Sequence, residues 1–286
     1  MTAEAWLESA PELAPARILA LAAGENFAVA PRFLPRRVRE PLEALYGFAR
    51  LVDEIGDAAS GDRGALLDAL EQDLERAGSG RARHPLLRRL SPWIESCELP
   101  HEAFLRLIEA NRWDQRLRQI ASWEELLAYC SLSANPVGEL VLRIFGAATP
   151  ERVALSDSVC SALQVIEHCQ DVAEDHARGR VYLPAEDLAD AGCGEAELAN
   201  PRSPALRSVI GVQLARARRL LESGAPLVAE LSGFARFAVA GYVAGGLAAC
   251  EALVRAGCDA SAPGARGTKR AALRHGVRLV FSGVRA

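Results

Sequence analysis

Apolar residues recur at helical spacing along most of the chain, whereas runs that alternate apolar and polar residues are scarce and hairpin dipeptides between apolar runs are absent. This pattern leaves little room for a sheet and predicts an all-α fold. Helices are expected near residues 15–24, 39–59, 63–77, 84–97, 101–117, 123–146, 150–177, 205–231 and 234–257. Asp62 or Ser60, Pro100, Ser122, Thr149 and Pro204 stand where helix starts are expected. Loops are marked by Gly78, Ser79 and Gly80, and by residues 192–204 and 259–267. Half of the 286 residues are apolar, enough for a large core, and no linker is long or biased enough to split the chain. The expectation is a single domain over residues 1–286, with flexible tails at 1–14 and 259–286.

Composition narrows the function. A net charge of −4 argues against a nucleic-acid partner. The seven cysteines show no C-x-x-C pair and no metal-finger spacing, which suits reduced thiols in a cytoplasmic protein. Residues 1–16 are acidic and lack an apolar stretch, so a secretory signal is not expected. The most apolar stretch, 234–256, carries Arg236 and Glu251 and is broken by Gly241, Gly245 and Gly246. It reads as a buried helix in preference to a membrane span.

Two acid stripes carry the chemistry. Tyr46, Arg50, Asp53 and Asp57 are spaced by four, three and four residues, so on a helix they share one face. The neighbouring stripe of Leu42, Leu45, Ala49, Val52 and Gly56 is apolar and should face the core. Asp53 and Asp57 lie one turn apart, roughly 6 Å between Cβ atoms, and both can reach one cation. The second segment repeats the device with Asp171 and Asp175, and Glu167 stands one turn before them. Just beyond come Arg178, Arg180 and Tyr182. A single acid pair of this kind suits a solvated helix face better than a site. Two pairs, each on an otherwise apolar helix and each with Arg and Tyr nearby, favour a binding site. Carboxylates without His or Cys at ligand spacing suit Mg²⁺, whose coordination is usually completed by waters and substrate phosphate. Arginines clamp the same phosphate bidentately.

These residues resemble the squalene and phytoene synthase family of prenyl-coupling enzymes. The family's Asp-rich motif behind Tyr-x-Phe-x-Arg stands here at 46–57, and its Asp-x-x-x-Asp followed by Gly-Arg-x-Tyr-Leu-Pro stands at 171–184. A Tyr-Cys helix ending in Val-Gly matches 129–138. The match runs from about residue 25 to about residue 253 in the family's order and spacing. Residues 133–138, Gln170 before Asp171, Glu25-Asn26-Phe27 and Leu34-Pro35 resemble the bacterial hydroxysqualene synthase subgroup. The sequence departs from the family pattern at Glu54, Leu132, Glu167 and Gln119-Ile120, while all four aspartates stand.

The resemblance implies an antiparallel helix bundle of the isoprenoid-synthase type around a central cavity, with the two acid motifs facing each other at its mouth. It implies a prenyl diphosphate substrate, with Mg²⁺ on Asp53, Asp57, Asp171 and Asp175, and Glu54 and Glu167 as further candidate ligands. Arg50, Arg178, Arg180 and Tyr182 would bind diphosphate, and Tyr46, Tyr129 and Asn135 would serve the reacting centre. Tyr129 could stabilise a cation through its ring face, or could be a core tyrosine. Pro136 should kink its helix, turning Asn135 toward a bound water or serving packing alone. His168 could help hold phosphate or Asp171, or be a plain helix-face histidine. Three readings of the function stay open: water capture of a cation from presqualene diphosphate, condensation of two prenyl diphosphates, and a silent helical paralogue acting as a partner. The silent paralogue should have lost metal ligands. After Asp259 the chain has six basic residues and no acid, with Leu273, Val277, Leu279, Val280 and Phe281 interspersed. Such a segment suits peripheral contact with an anionic membrane, and equally a solvated tail.

Overall fold

The computed structural model describes residues 2, 3, 5, 7, 10–24, 30 and 34–282. Glu25, Asn26, Phe27 and Arg285 lie outside the described residues. The fold is all-α. In chain order the helices are α1 (Pro15–Ala20), α2 (Arg36–Asp57), α3 (Arg63–Gly78), α4 (Pro85–Ser96), α5 (His101–Asp114), α6 (Trp123–Ser133) and α7 (Asn135–Ile144). There follow α8 (Pro150–Gln170), α9 (Val172–Ala177), α10 (Ala185–Asp190), α11 (Glu195–Leu198), α12 (Pro204–Gly224), α13 (Leu227–Glu230), α14 (Gly233–Arg255) and α15 (Lys269–Ser282). Among the described residues the only β pairing is a single bridge between Gln119 and Val181.

Helix starts follow local chemistry. Asp62, Ser122 and Thr149 each cap the helix behind them, accepting from the backbone N–H of Ala65, Glu125 and Arg152. Three expected helices are interrupted. The stretch 123–146 breaks at Ala134, just before Pro136, which has no N–H to continue the ladder. The stretch 205–231 stops at Gly224, two residues before Pro226. The stretch 150–177 is interrupted at Asp171, whose backbone leaves the helical well at φ −107°, ψ 12°. Both expected tails contain structure. Leu7, Ala10 and Leu13 are buried, and Lys269–Ser282 is a helix docked on α14. Just before that helix the chain passes close to α14 at Gly267, where a Cβ would meet the Ala249 backbone nitrogen at 3.0 Å.

Contacts divide the chain into two compact units. The first comprises Met1–Arg116 and Pro136–Ala148. Its core is built on α2, whose Leu42, Leu45, Phe48, Leu51, Val52 and Ile55 are buried. Phe48 meets Phe104 edge-on, with ring centroids 5.0 Å apart. Fully burying such side chains contributes about 1.5–3 kcal/mol each. Asp73, buried completely, ties α3 to α4: it accepts from the Arg83 and His84 backbone N–H groups at 2.8 Å and from Arg76 Nε at 3.0 Å.

The second unit comprises Leu117–Asn135 and Thr149–Ala286. Here α8 is approached closely by α12 and α14. A Cβ on Gly224 would lie 2.7 Å from the Leu155 carbonyl, and one on Gly246 2.7 Å from Leu163 Cδ2. By length and composition α14 could cross a membrane, but it buries Ala235, Ala238, Val239, Val243, Ala248 and Leu253 within its unit. No disulfide joins the seven cysteines. Burial pushes the Cys130 and Cys250 thiols up to about 12, so they stay protonated.

Candidate active site

In the first unit, α2 presents Tyr46, Arg50, Asp53 and Asp57 on a face that retains solvent contact, opposite the buried Phe48 and Leu51. The acid stripe thus sits on the edge of the core, as its spacing predicts. Of the expected apolar stripe, Leu42, Leu45, Val52 and Gly56 are buried, and Ala49 is half-buried. Glu54, adjacent in sequence, is buried. It pairs with Arg50 at 2.9 Å, one turn before it, so the Arg50 guanidinium neutralises a buried carboxylate.

The polar support beneath this stripe comes from α5. Buried Asn111 donates from Nδ2 to Asp53 Oδ1 at 3.3 Å and to the Leu107 carbonyl at 3.3 Å. Gln115, one turn on, donates from Nε2 to the Gly56 carbonyl at 3.0 Å. The approach requires Gly56, where a Cβ would lie 2.0 Å from Asn111 Oδ1. Sequence reading missed Asn111 and Gln115. The available signal was a pair of amides four residues apart on a helix whose neighbouring positions, Leu107 and Ile108, are core.

In the second unit, the interruption at Asp171 places one aspartate at the junction of α8 and α9. The ladder survives across it: Asp171 N–H donates to the Glu167 carbonyl and Asp175 N–H to the Asp171 carbonyl, both at 2.9 Å. The two carboxylates therefore stay one turn apart. Burial, with the nearby charges of Asp175 and Glu174, raises the Asp171 carboxyl above its ordinary range, against the pull of Arg266 and His168. Glu167 is exposed. Gly179 adopts φ +79° and closes α9, turning the chain so that Arg180 N–H reaches the Asp175 carbonyl at 3.0 Å. Arg178 reaches back to Glu174 at 2.7 Å. The next residues pair with the stretch that departs from the family pattern: Val181 N–H donates to Arg118 and Ile120 N–H to Val181, both at 3.0 Å.

An aromatic cluster adjoins this acid pair. His168 stacks on Tyr182 with ring centroids 3.9 Å apart and 17° between planes. Tyr129 lies 5.2 Å from Tyr182 and 5.9 Å from His168. All three are buried, and the Arg180 guanidinium sits 6.0 Å from the Tyr182 ring. The His168 Nδ1 is 3.7 Å from Asp175 Oδ2, and Gln164 meets its Nε2 at 3.2 Å. His168 is thus a member of the cluster, and the stack could not be read from spacing because Tyr182 arrives from beyond Gly179. Asn135 lies at the break between α6 and α7, its Oδ1 accepting from the buried Ser161 hydroxyl at 2.9 Å.

The donor chemistry fits a hard cation. Among the described residues no three carboxylate, imidazole or thiol groups converge on one point. An ion here would be held by one or two carboxylates and would draw its other ligands from water and phosphate oxygens, the habit of Mg²⁺.

A family model described as squalene/phytoene synthase matches residues 21–275. A hydroxysqualene synthase of Rhodopseudomonas palustris is 34% identical over 215 residues, covering 73% of this chain and 72% of the relative. The chloroplastic phytoene synthase 1 of Solanum lycopersicum is 34% identical over 211 residues, covering 70% of this chain and 51% of the relative. The crystal structure of squalene synthase HpnC from Alicyclobacillus acidocaldarius superposes with a TM-score of 0.78 at 42% identity, covering 86% of this chain and 94% of that one.

Proposed function

We propose, given that this chain belongs to the squalene/phytoene synthase family, that it ionises presqualene diphosphate and lets water capture the rearranged cation, giving hydroxysqualene. The observation that carries this reading is the acid pair Asp171/Asp175 set against the buried cluster of Tyr129, His168 and Tyr182. A diphosphate leaves only when its charge is neutralised, and a cation survives only where its neighbours are poor nucleophiles. Asp53 with Asp57, and Asp171 with Asp175, would each hold Mg²⁺, which when bound supplies Lewis-acid charge to the leaving group. Arg50, Arg178 and Arg180 would add positive charge for the diphosphate, and Tyr46 would serve the reacting centre. Tyr129 would offer a ring face to developing positive charge, Tyr182 would join the arginines on the diphosphate, and Asn135, fixed by Ser161, would orient the capturing water. Hydroxysqualene synthases among the relatives support the water step.

A second reading is condensation of two prenyl diphosphates to presqualene or phytoene diphosphate, favoured by the similarity to phytoene synthases. Pure protein incubated with presqualene diphosphate and Mg²⁺, without NADPH, separates the two. Hydroxysqualene is the expected product. Inert presqualene diphosphate, together with turnover of farnesyl diphosphate to presqualene diphosphate, would replace the first reading by the second. The first reading makes the pathway neighbours a presqualene diphosphate synthase and a hydroxysqualene reductase. It sets the protein in the cytoplasm, with peripheral contact at the inner membrane through the basic C-terminal segment, where so apolar a product must go.

A further inference from the structure

The C-terminal helix α15 carries two parallel stripes. Leu273, Val277 and Phe281 follow one another at four-residue spacing and are 69%, 49% and 65% exposed. Arg270, Arg274 and Arg278 run beside them at the same spacing, all exposed. Antiparallel packing on α14, fixed by Glu251 with Arg274 at 2.7 Å and by Arg236 with the Val280 carbonyl, brings the start of α14 to the end of α15. There Phe234 and Phe237, 43% and 54% exposed, extend the apolar stripe. Five of the seven large apolar side chains that the described residues expose lie on this patch, so the exposure is concentrated, not scattered.

A groove of about 770 Å³ adjoins the arginine stripe, lined by Arg218, Arg255, Arg270 and Arg274 around the single carboxylate of Glu251. Three of these arginines are engaged: Arg218 with Glu222, and Arg255 and Arg274 with Glu251. Apolar Leu214 and Val254 line the same groove. Guanidinium groups beside exposed leucine, valine and phenylalanine complement a surface that is negative at its headgroups and apolar just beneath them.

We infer that α15 lies in the plane of an anionic phospholipid bilayer, with Leu273, Val277, Phe281 and Phe237 in the acyl boundary and a lipid headgroup phosphate in the arginine groove. The inference deepens the membrane contact proposed above and rests on that reading for its purpose: a helix held at the interface delivers an apolar product into lipid. Lipid binding itself is measured without turnover.

The test uses the full chain in flotation with vesicles of phosphatidylcholine alone and of phosphatidylcholine mixed with phosphatidylglycerol. Binding to the anionic vesicles should be at least about tenfold tighter, because each arginine near such a surface contributes several-fold, and should weaken as salt rises. Replacing the apolar stripe (L273S/V277S/F281S) and, separately, the arginines (R270Q/R278Q) should each weaken it by about tenfold or more. These side chains are largely exposed, so the variants should keep the parent's melting temperature and its turnover of detergent-dispersed substrate. Equal binding to both vesicle types, undiminished binding by the apolar-stripe variant, or a wild-type dimer that the same variant dissolves would each overturn the proposal. A protein that floats with anionic vesicles but turns over no presqualene diphosphate would keep this inference and remove the reading of the reaction.

Discussion

Gly56→Ala tests the coupling of the first acid stripe to α5. On an open helix face this change should stabilise, since alanine exceeds glycine in helix propensity by about 1 kcal/mol. Here the new methyl group would stand 2.0 Å from Asn111 Oδ1, 2.9 Å from its Cγ and 3.3 Å from its Cβ. Asn111 is buried, and swinging it away breaks its bond to Asp53 Oδ1 and its bond to the Leu107 carbonyl. Overpacking of this kind costs about 1–3 kcal/mol. The lost bond to a partly solvated carboxylate adds about 1 kcal/mol at the low end of its range. Against the propensity gain, the net expectation is a loss of about 2 kcal/mol. Equilibrium urea unfolding reads this as a lower midpoint at unchanged slope. Asn111→Ala removes the obstructing group, so the double variant should be less destabilised than the sum of the singles by about 1–2 kcal/mol. A Gly56→Ala protein as stable as its parent, or more so, would refute the close approach and with it the hold of Asn111 on Asp53.

Asp73→Ala should cost about 3–5 kcal/mol, since it removes a completely buried carboxylate that accepts from the backbone N–H groups of Arg83 and of buried His84 and from Arg76 Nε; the urea midpoint measures it, and a loss below about 1 kcal/mol would deny Asp73 its role between α3 and α4. His84 is buried against the Leu13 carbonyl and caps α4, and burial lowers its imidazole from 6.5 to about 4. The folded state therefore disfavours the charged ring: its contribution is present above pH 6.5 and is lost as the pH falls toward 4, by up to about 3 kcal/mol. Thermal melts across that window should show the slope, and His84→Gln should flatten it. Asp171→Asn should abolish Mg²⁺-dependent diphosphate release while leaving stability equal or higher, because burial and like charge already disfavour the carboxylate; retained activity would remove Asp171 from the ligand set. Asn135→Ala strands the buried Ser161 hydroxyl at a cost of about 1–2 kcal/mol. It should also cut hydroxysqualene output, and undiminished output would reduce the break at Ala134 to packing.

What the residues alone determined was periodic. Helix class follows from the recurrence of apolar positions. The starts at Asp62, Ser122 and Thr149 follow from side chains that cap their own backbone. The shared face of Tyr46, Arg50, Asp53 and Asp57 follows from turn geometry on α2, and family membership was visible in three motifs in register. Each of these depends on neighbours within a few residues along the chain. Only the tertiary structure decided which side chains meet across elements. It joined Asn111 of α5 to Asp53 of α2 through the gap left by Gly56, and laid Tyr182 on His168 from beyond the turn at Gly179. It also drew residues 269–282 from an expected tail into a helix on α14. Such contacts depend on the crossing and close approach of distant helices, and spacing within one helix carries no information about them.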